Sequence, residues 1–212
     1  MLVLDKQGWL LPQRQVQLAP SPNHNQRPQG VLPYLLVIHN ISLPPQQFYG
    51  DAVVQFFQNQ LDFTQHPWFE NIRGMTVSAH FFIRRDGYIV QFVSADERAW
   101  HAGLSEFEGI AGCNDFSIGI ELEGADHIIY TEAQYARLAA LTQVLHARYP
   151  LRAVRGHEHI APGRKSDPGA AFNWQDYAQR CQLTVNMPLE SDISGEPKST
   201  TIGRNSTSSR TT

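Results

Sequence analysis

Two glutamates lie within a short stretch, residues 116–123, in which apolar residues alternate with small or acidic ones. Successive side chains of a β-strand point to opposite faces, so Glu121 and Glu123 would share a face with Ser117 and Gly119. The two small residues would leave room in front of the carboxylates for a reactant to approach. The stretch therefore offers a candidate general base, although a strand side turned to solvent, with two ordinary glutamates, has the same pattern.

A second segment, residues 156–169, concentrates groups that bind metals or move protons. It contains His157, His159, Lys165 and Asp167 among glycines and prolines, with one isoleucine as its only large apolar side chain. We expect a loop held in a fixed path rather than part of the core. A histidine and an aspartate from this loop, joined by a histidine from a distant strand end, would form the three-ligand open site of a catalytic zinc ion. The alternative is a surface loop with an internal Lys–Asp pair.

The elements that must position these groups alternate between strands and helices. Residues 34–38 form a continuous apolar run, which predicts a buried central strand with His39 at its C-terminal end. Residues 131–149 predict a helix, because Thr131 and Gln134 form a capping box and apolar residues recur along one face. The remaining predicted elements are a helix over residues 44–61, strands over 75–83, 87–93 and 116–123, and a hairpin turn at 85–87. We therefore expect an α/β fold in which a central mixed β-sheet is flanked by helices.

Composition bounds the remaining possibilities. The chain has 212 residues, a formal net charge of -3 and only 17% charged residues, so it offers no polycationic surface for nucleic acid or an anionic membrane. The first residues contain no basic leader and no long apolar run, which predicts a cytoplasmic protein. Cys113 and Cys181 are expected to be free thiols, because two cysteines are too few for a disulfide framework. We expect a folded unit over residues 1–187 and a disordered Ser/Thr-rich tail over 188–212.

Four segments follow one another in an order that is informative as a set. They are residues 38–45, the tetrapeptide 100–103 (WHAG), residues 113–124 and residues 156–169. Together they resemble the zinc-dependent N-acetylmuramyl-L-alanine amidases, and more narrowly the AmpD-type enzymes that act on 1,6-anhydro muropeptides. The resemblance covers about residues 5–180. It implies the fold shared by phage T7-type lysozyme and the peptidoglycan recognition proteins, in which a central mixed sheet carries helices on its faces.

The resemblance also implies roles for individual residues. It makes His39, His157 and Asp167 the ligands of one zinc ion per chain. Glu121 becomes the general base, and Lys165 the partner of the charge that develops in the transition state. The lysozyme and recognition-protein relatives carry a cysteine where this chain has Asp167, whereas the AmpD-type subgroup carries the aspartate.

Two of these choices depend on the resemblance alone. His159 lies two residues from His157 and, in an extended chain, on the same side, so geometry does not choose between them. Periodicity likewise does not separate Glu121 from Glu123. The family strand motif favours Glu121, and we expect Glu123, at the strand end, to be solvated.

Substrate contacts are predicted around the same site. Members of the AmpD-type subgroup often carry a basic residue where this chain has Gly112, so Arg164 is a candidate to contact a substrate carboxylate instead. Trp100 and His101 are candidate walls of the binding groove. We expect His80 to be a hydrogen-bonded structural residue near the cleft.

The function that the resemblance implies is hydrolysis of the amide between 1,6-anhydro-N-acetylmuramic acid and the L-Ala of the stem peptide, in cell-wall recycling. The expected partner is a small anhydro-muropeptide, and a monomeric enzyme is expected. Two alternatives stay open: a non-catalytic peptidoglycan-binding protein of the same fold, and a secreted wall-degrading amidase or endolysin. The complete set of candidate ligands and base argues against the first, and the missing signal sequence against the second.

Overall fold

The computed structural model describes residues 1–188 of the chain. The predicted tail, residues 188–212, lies outside the described residues except for Pro188, which is buried. The strands are β1 (Val16–Leu18), β2 (His24–Asn25), β3 (Leu35–Ile41), β4 (Phe81–Ile83), β5 (Ile89–Gln91), β6 (Arg98–Ala99), β7 (Glu106–Phe107), β8 (Ile110–Ala111), β9 (Ser117–Glu123) and β10 (Ala153–Gly156). The α-helices are α1 (Ala52–Phe57), α2 (Glu132–Arg148), α3 (His157–Ile160) and α4 (Trp174–Cys181), and 3-10 helices span Pro67–Ile72 and Cys113–Asp115.

Six of the strands form one mixed sheet in the order β1-β5-β4-β9-β3-β10. Strands β4, β9, β3 and β10 run parallel to one another. Strand β5 is antiparallel to β4, and β1 is parallel to β5. The predicted mixed sheet with flanking helices is confirmed. The apolar run predicted as the central strand is β3, a buried interior strand that lies beside the edge strand β10.

Helix α2 begins and ends close to its predicted bounds. The Thr131 hydroxyl accepts from the Gln134 backbone N–H at 3.1 Å, and the Gln134 side chain accepts from the Thr131 N–H at 3.0 Å, so the capping box is confirmed. The Gln134 amide also donates to the Ile83 and Glu123 carbonyls of the sheet. The apolar face of α2 packs in the large core cluster through Tyr135, Leu138, Leu141 and Leu145.

Two predicted elements are shorter in the structure. The helix predicted over residues 44–61 is helical only in α1, because Gln46 and Tyr49 adopt positive φ angles of 64° and 69° that a right-handed helix excludes. The strand predicted over 75–83 is reduced to β4. The hairpin between β4 and β5 is confirmed, with Gly87 at a φ of 80° in its turn.

The two faces of the sheet differ in what covers them. Helices α2 and α4 pack in the core cluster on one face, where Ile38 and Ile120 point. The adjacent residues of the same strands, His39 and Glu121, project to the other face, as the alternation of strand side chains requires. Both cysteines are buried free thiols, as predicted. Within residues 1–188, no helix combines the length and apolar character needed to cross a membrane.

Candidate active site

His39 and Glu121 are neighbours on two adjacent strands. His39 was predicted at the C-terminal end of its strand, but β3 continues two residues further, and His39 pairs in register with Glu121 of β9. Both side chains are buried and line the same cleft. The pairing of β3 with β9 therefore joins the two sequence segments in which a metal ligand and a base were predicted.

Three potential metal ligands converge in this cleft. His39 Nδ1 lies 3.0 Å from His157 Nδ1 and 3.0 Å from Asp167 Oδ2, and His157 Nδ1 lies 3.1 Å from the same carboxylate oxygen. Among residues 1–188, these three side chains are the one group of His, Cys, Asp and Glu residues arranged closely enough to hold a metal ion. The structure thus brings together the three predicted ligands.

The opposite ring nitrogens of the two histidines have partners of their own. His157 Nε2 lies 3.1 Å from the Ala102 carbonyl, which only accepts, so Nε2 carries a proton. In the neutral ring, which is the form that binds a metal, Nδ1 then presents its lone pair to the other two side chains. His39 Nε2 lies 3.0 Å from His101 Nδ1, and burial lowers the pKa of His39 to about 4. Neutral imidazole nitrogens and a carboxylate oxygen this close repel one another unless a cation or proton lies among them. The donor set therefore fits a zinc ion.

The short helix α3 separates the two histidines of the 156–169 segment. His157 is buried and points into the cluster, whereas His159 Nδ1 accepts from the Gly156 backbone N–H at 2.8 Å. The His159 ring packs edge-on against Trp174, with 5.4 Å between ring centroids. The expectation that both rings lie on one side of an extended chain is wrong, because one helical turn rotates them apart.

The two glutamates of β9 have different environments. Glu121 Oε2 is buried and has no hydrogen-bond partner within residues 1–188, and burial raises the pKa of Glu121 well above its ordinary range. Glu123 instead accepts from the backbone N–H groups of Tyr49, at 2.6 Å, and Arg85, at 2.9 Å. The expectation that Glu123 is solvated is wrong, since its carboxylate is buried and ties two loops to the strand end.

The space beside the small residues of β9 is filled by His101. A Cβ atom at Gly119 would lie 2.5 Å from His101 Cγ, and Ser117 Oγ lies 3.2 Å from His101 Nε2. These small residues accommodate an imidazole ring, so the expectation that they leave room for a reactant is wrong at these two positions. His101 also lines the cleft, where it was predicted to form a wall.

The two basic residues of the 156–169 segment are both exposed but have different surroundings. Lys165 is exposed and lines the same cleft as Glu121 and Asp167. Arg164 donates from Nη2 to the Ala102 and Leu104 carbonyls, at 2.9 and 2.5 Å. Part of the Arg164 guanidinium is therefore committed to holding the neighbouring loop.

His80 behaves as predicted for a structural residue near the cleft. Its Nδ1 accepts from the Gly119 backbone N–H at 3.0 Å, and its Nε2 lies 3.0 Å from the Glu97 carbonyl. Burial lowers the pKa of His80 to about 3, so the ring stays neutral at pH 7.

Comparison with known protein families shows which family the chain belongs to. The family described as N-acetylmuramoyl-L-alanine amidase matches residues 29–170. This range includes the three candidate metal ligands, hereafter the metal cluster, together with Glu121 and Lys165. The chain belongs to this amidase family.

Individual amidases are similar over most of the chain. The 1,6-anhydro-N-acetylmuramyl-L-alanine amidase AmpD of Salmonella typhimurium (strain SL1344) is 53% identical over 189 residues, which cover 88% of this chain and 100% of the relative. A crystal structure of a selenomethionine AmpD derivative superposes with a TM-score of 0.77 at 48% identity, covering 87% of this chain and 99% of that one. The resemblance to AmpD-type amidases is therefore confirmed.

One structure similar to this chain contains a bound substrate. The amidase AmiD of E. coli, in complex with the substrate anhydro-N-acetylmuramic acid-L-Ala-D-γ-Glu-L-Lys, gives a TM-score of 0.52 at 29% identity. The match covers 87% of this chain and 66% of that one.

The amidase cleft of this chain has a volume of about 310 Å³ and is lined by both polar and apolar side chains. The polar ones include the three candidate metal ligands, Glu121 and Lys165. Trp100 forms part of the wall, and its indole N–H donates to Asn25 Oδ1 at 2.7 Å. The apolar lining residues include Phe56, Trp68, Ile72, Met75 and Val77, which were not predicted from the sequence as site residues. The signal available for Trp68 was its place directly after Pro67, a residue that favours the first turn of a helix.

Proposed function

We propose that the chain hydrolyses the amide bond between 1,6-anhydro-N-acetylmuramic acid and the L-Ala of the stem peptide, as a zinc-dependent enzyme of peptidoglycan recycling. The observation that carries the proposal is the convergence of His39, His157 and Asp167 in one cleft with Glu121, whose Oε2 has no hydrogen-bond partner within residues 1–188. Similarity to AmpD over nearly the whole described chain supports the anhydro-muropeptide as substrate. We also propose that the enzyme is a monomer and that it acts in the cytoplasm.

In this proposal His39, His157 and Asp167 hold one zinc ion per chain. When bound, zinc supplies Lewis-acid chemistry, which polarises a carbonyl oxygen and brings the pKa of a water molecule down to about 7. The protein contributes the neutral nitrogens and the single carboxylate. It also contributes the partners that keep the second nitrogen of each histidine occupied.

Glu121 is the proposed general base. Its Oε2 is free to accept the proton of the attacking water, because no hydrogen bond within residues 1–188 occupies this atom. Burial favours the protonated carboxyl group, so Glu121 can hold the proton until the leaving amine takes it. The register of Glu121 with His39 supports this role, because the two residues are paired on adjacent strands.

Lys165 is the proposed partner of the transition-state charge. Its side chain is exposed and lines the same cleft as Glu121, where the ammonium group can approach a bound substrate. Such a fixed charge near a developing oxyanion commonly contributes roughly 3–4 kcal/mol to transition-state stabilisation. We also retain Trp100 and the part of the Arg164 guanidinium not bound to carbonyls as substrate contacts, because both line openings next to the cluster.

The experiment that tests this function compares two substrates with and without metal. The purified chain is incubated with an anhydro-muropeptide and with intact sacculi, after chelator treatment and after zinc is restored, and the products are identified by mass. We expect addition of one water across the amide of the anhydro-muropeptide, abolished by chelator and restored by zinc. Glu121→Gln, with its zinc content measured, is the inactive control.

Two outcomes would overturn the proposal. Binding of muropeptide without any product would assign the chain to the non-catalytic peptidoglycan binders. Faster release of peptide from intact sacculi than from the anhydro-muropeptide would assign it to the wall-degrading amidases.

A further inference from the structure

The dipeptide formed by His101 and Ala102 contacts both histidines of the metal cluster at their Nε2 atoms. His101 Nδ1 faces His39 Nε2 at 3.0 Å, and the Ala102 carbonyl faces His157 Nε2 at 3.1 Å. This dipeptide directly follows Trp100, a proposed substrate contact, but the proposed function gives the dipeptide itself no chemical role. The contact to His157 is determined by a carbonyl, but the contact to His39 joins two imidazoles, so its donor has to be found from the surroundings.

The donor follows from the hydrogen bonds behind His101. Ser117 Oγ lies 2.5 Å from the Cys113 carbonyl, which can only accept, so the single hydroxyl proton of Ser117 points to that carbonyl. Ser117 Oγ then meets His101 Nε2, at 3.2 Å, with a lone pair. The proton of this hydrogen bond is therefore on His101 Nε2.

The direction of this hydrogen bond determines which nitrogen of His39 faces the other two candidate ligands. A neutral imidazole has one protonated nitrogen, so a proton on His101 Nε2 leaves His101 Nδ1 as an acceptor. His39 Nε2 must then donate to it, which leaves His39 Nδ1 as a lone pair. This is the nitrogen that faces His157 Nδ1 and Asp167 Oδ2.

Packing keeps His101 in the position that this chain of hydrogen bonds requires. The ring lies against the backbone of Gly119, where any Cβ atom would approach it to 2.5 Å. Asn114 Oδ1 accepts from the backbone N–H groups of His101, at 3.0 Å, and Ala102, at 2.8 Å. The dipeptide that supports both histidines is thus itself held by one side chain.

We infer that His101 is a positioning residue: together with Ser117 it sets the tautomer of His39, so that Nδ1 of His39 is presented to the metal. The inference rests on the proposed function in one respect, namely that the ion held is zinc. His101 acts through His39 and does not itself bind the ion.

Zinc affinity in a matched set of variants tests the inference. His101→Leu fills the space but offers no acceptor, and zinc affinity, measured by competition with a chelator, should fall by about 10–100-fold. His101→Asn can present its Oδ1 near the position of the lost Nδ1, so it should recover much of that affinity although it fills the space less well. Ser117→Ala removes only the hydroxyl and should weaken zinc binding by less than His101→Leu. Circular dichroism and the melting temperature of the metal-free forms report whether each variant is folded.

Nitrogen NMR of the histidine side chains gives a readout that does not depend on activity. We expect His101 with its proton on Nε2 in both metal-free and zinc-loaded protein, and His39 with its proton on Nε2 when zinc is bound. In Ser117→Ala the preference of His101 should weaken. The tautomer of His80, set by Gly119 and Glu97, should stay unchanged as an internal control.

The inference is overturned by any of three results. These are a proton on His101 Nδ1, a folded His101→Leu variant with zinc affinity within twofold of the parent, or equal losses in His101→Leu and His101→Asn. If the parent chain binds no zinc, the proposed function fails, and the spectrum of His101 in the metal-free chain still decides the direction of the hydrogen bonds.

Discussion

Replacing each glutamate of β9 by glutamine should separate catalysis from stability. Glu121→Gln keeps the shape of the side chain but removes the proposed base beside the metal cluster. Glu123→Gln makes the same chemical change two residues further along the same face of the strand. The pair is therefore a matched test in which only the environment of the carboxylate differs.

For Glu121→Gln, we expect normal zinc content and a kcat lower by about 10²–10⁴-fold, the usual contribution of a general base. No loss of stability is expected, because Oε2 accepts no hydrogen bond within residues 1–188. Burial raises the pKa of Glu121, so the folded metal-free chain binds this proton more tightly than the unfolded chain does. The associated stability is present below the unfolded pKa, near 4.3, and is lost as the pH rises towards the folded pKa. The metal-free variant should therefore become the more stable protein as the pH rises from about 4 to 8.

For Glu123→Gln, we expect the opposite pattern. Both carboxylate oxygens accept backbone N–H groups, from Tyr49 and Arg85, and an amide can accept with only one of its two polar atoms. One charge-assisted hydrogen bond is lost and the other becomes neutral, which together cost about 2–4 kcal/mol of unfolding free energy. For a domain of this size the melting temperature should fall by roughly 5–15 °C. The kcat of the folded variant should remain within a few-fold of the parent.

The assay combines zinc analysis, steady-state kinetics on the anhydro-muropeptide and unfolding of the metal-free proteins at several pH values. The reasoning would be refuted if Glu121→Gln stayed within a few-fold of the parent kcat. It would also be refuted if Glu123→Gln, with its zinc intact, showed the larger loss of activity.

Three further sets of substitutions test the ligands, Lys165 and the packing of His101. His157→Ala should lose zinc while His159→Ala keeps it, because only His157 reaches the cluster; metal analysis showing the reverse would contradict the ligand set. Lys165→Ala should retain zinc and an unchanged KM but lower kcat, since its charge acts on the transition state, whereas a raised KM at constant kcat would make Lys165 a substrate clamp. Gly119→Ala should weaken zinc binding by displacing the ring of His101, which a chelator competition measures against the parent, and an unchanged affinity would show that the ring has room to move.

Local patterns were sufficient for several elements of the fold. The capping box of Thr131 and Gln134 and the apolar face that follows it specify α2, because both signals lie within one helix. The alternation in β9 likewise predicts which residues share a face. The helix predicted over residues 44–61 failed because an apolar spacing does not report the positive φ angles of Gln46 and Tyr49.

The residue types and their order along the chain are enough to predict which segments form the site, because both can be read from the sequence alone. The fold adds the contacts between segments: the ring of His157 faces Asp167, whereas one turn of helix turns the ring of His159 to the Gly156 backbone. It also brings two backbone N–H donors from distant loops to Glu123. It also showed that Gly119 makes room for His101. The physical reason is the same in each case: periodicity within a segment says which way a side chain points, but the atom it meets comes from another segment of the chain.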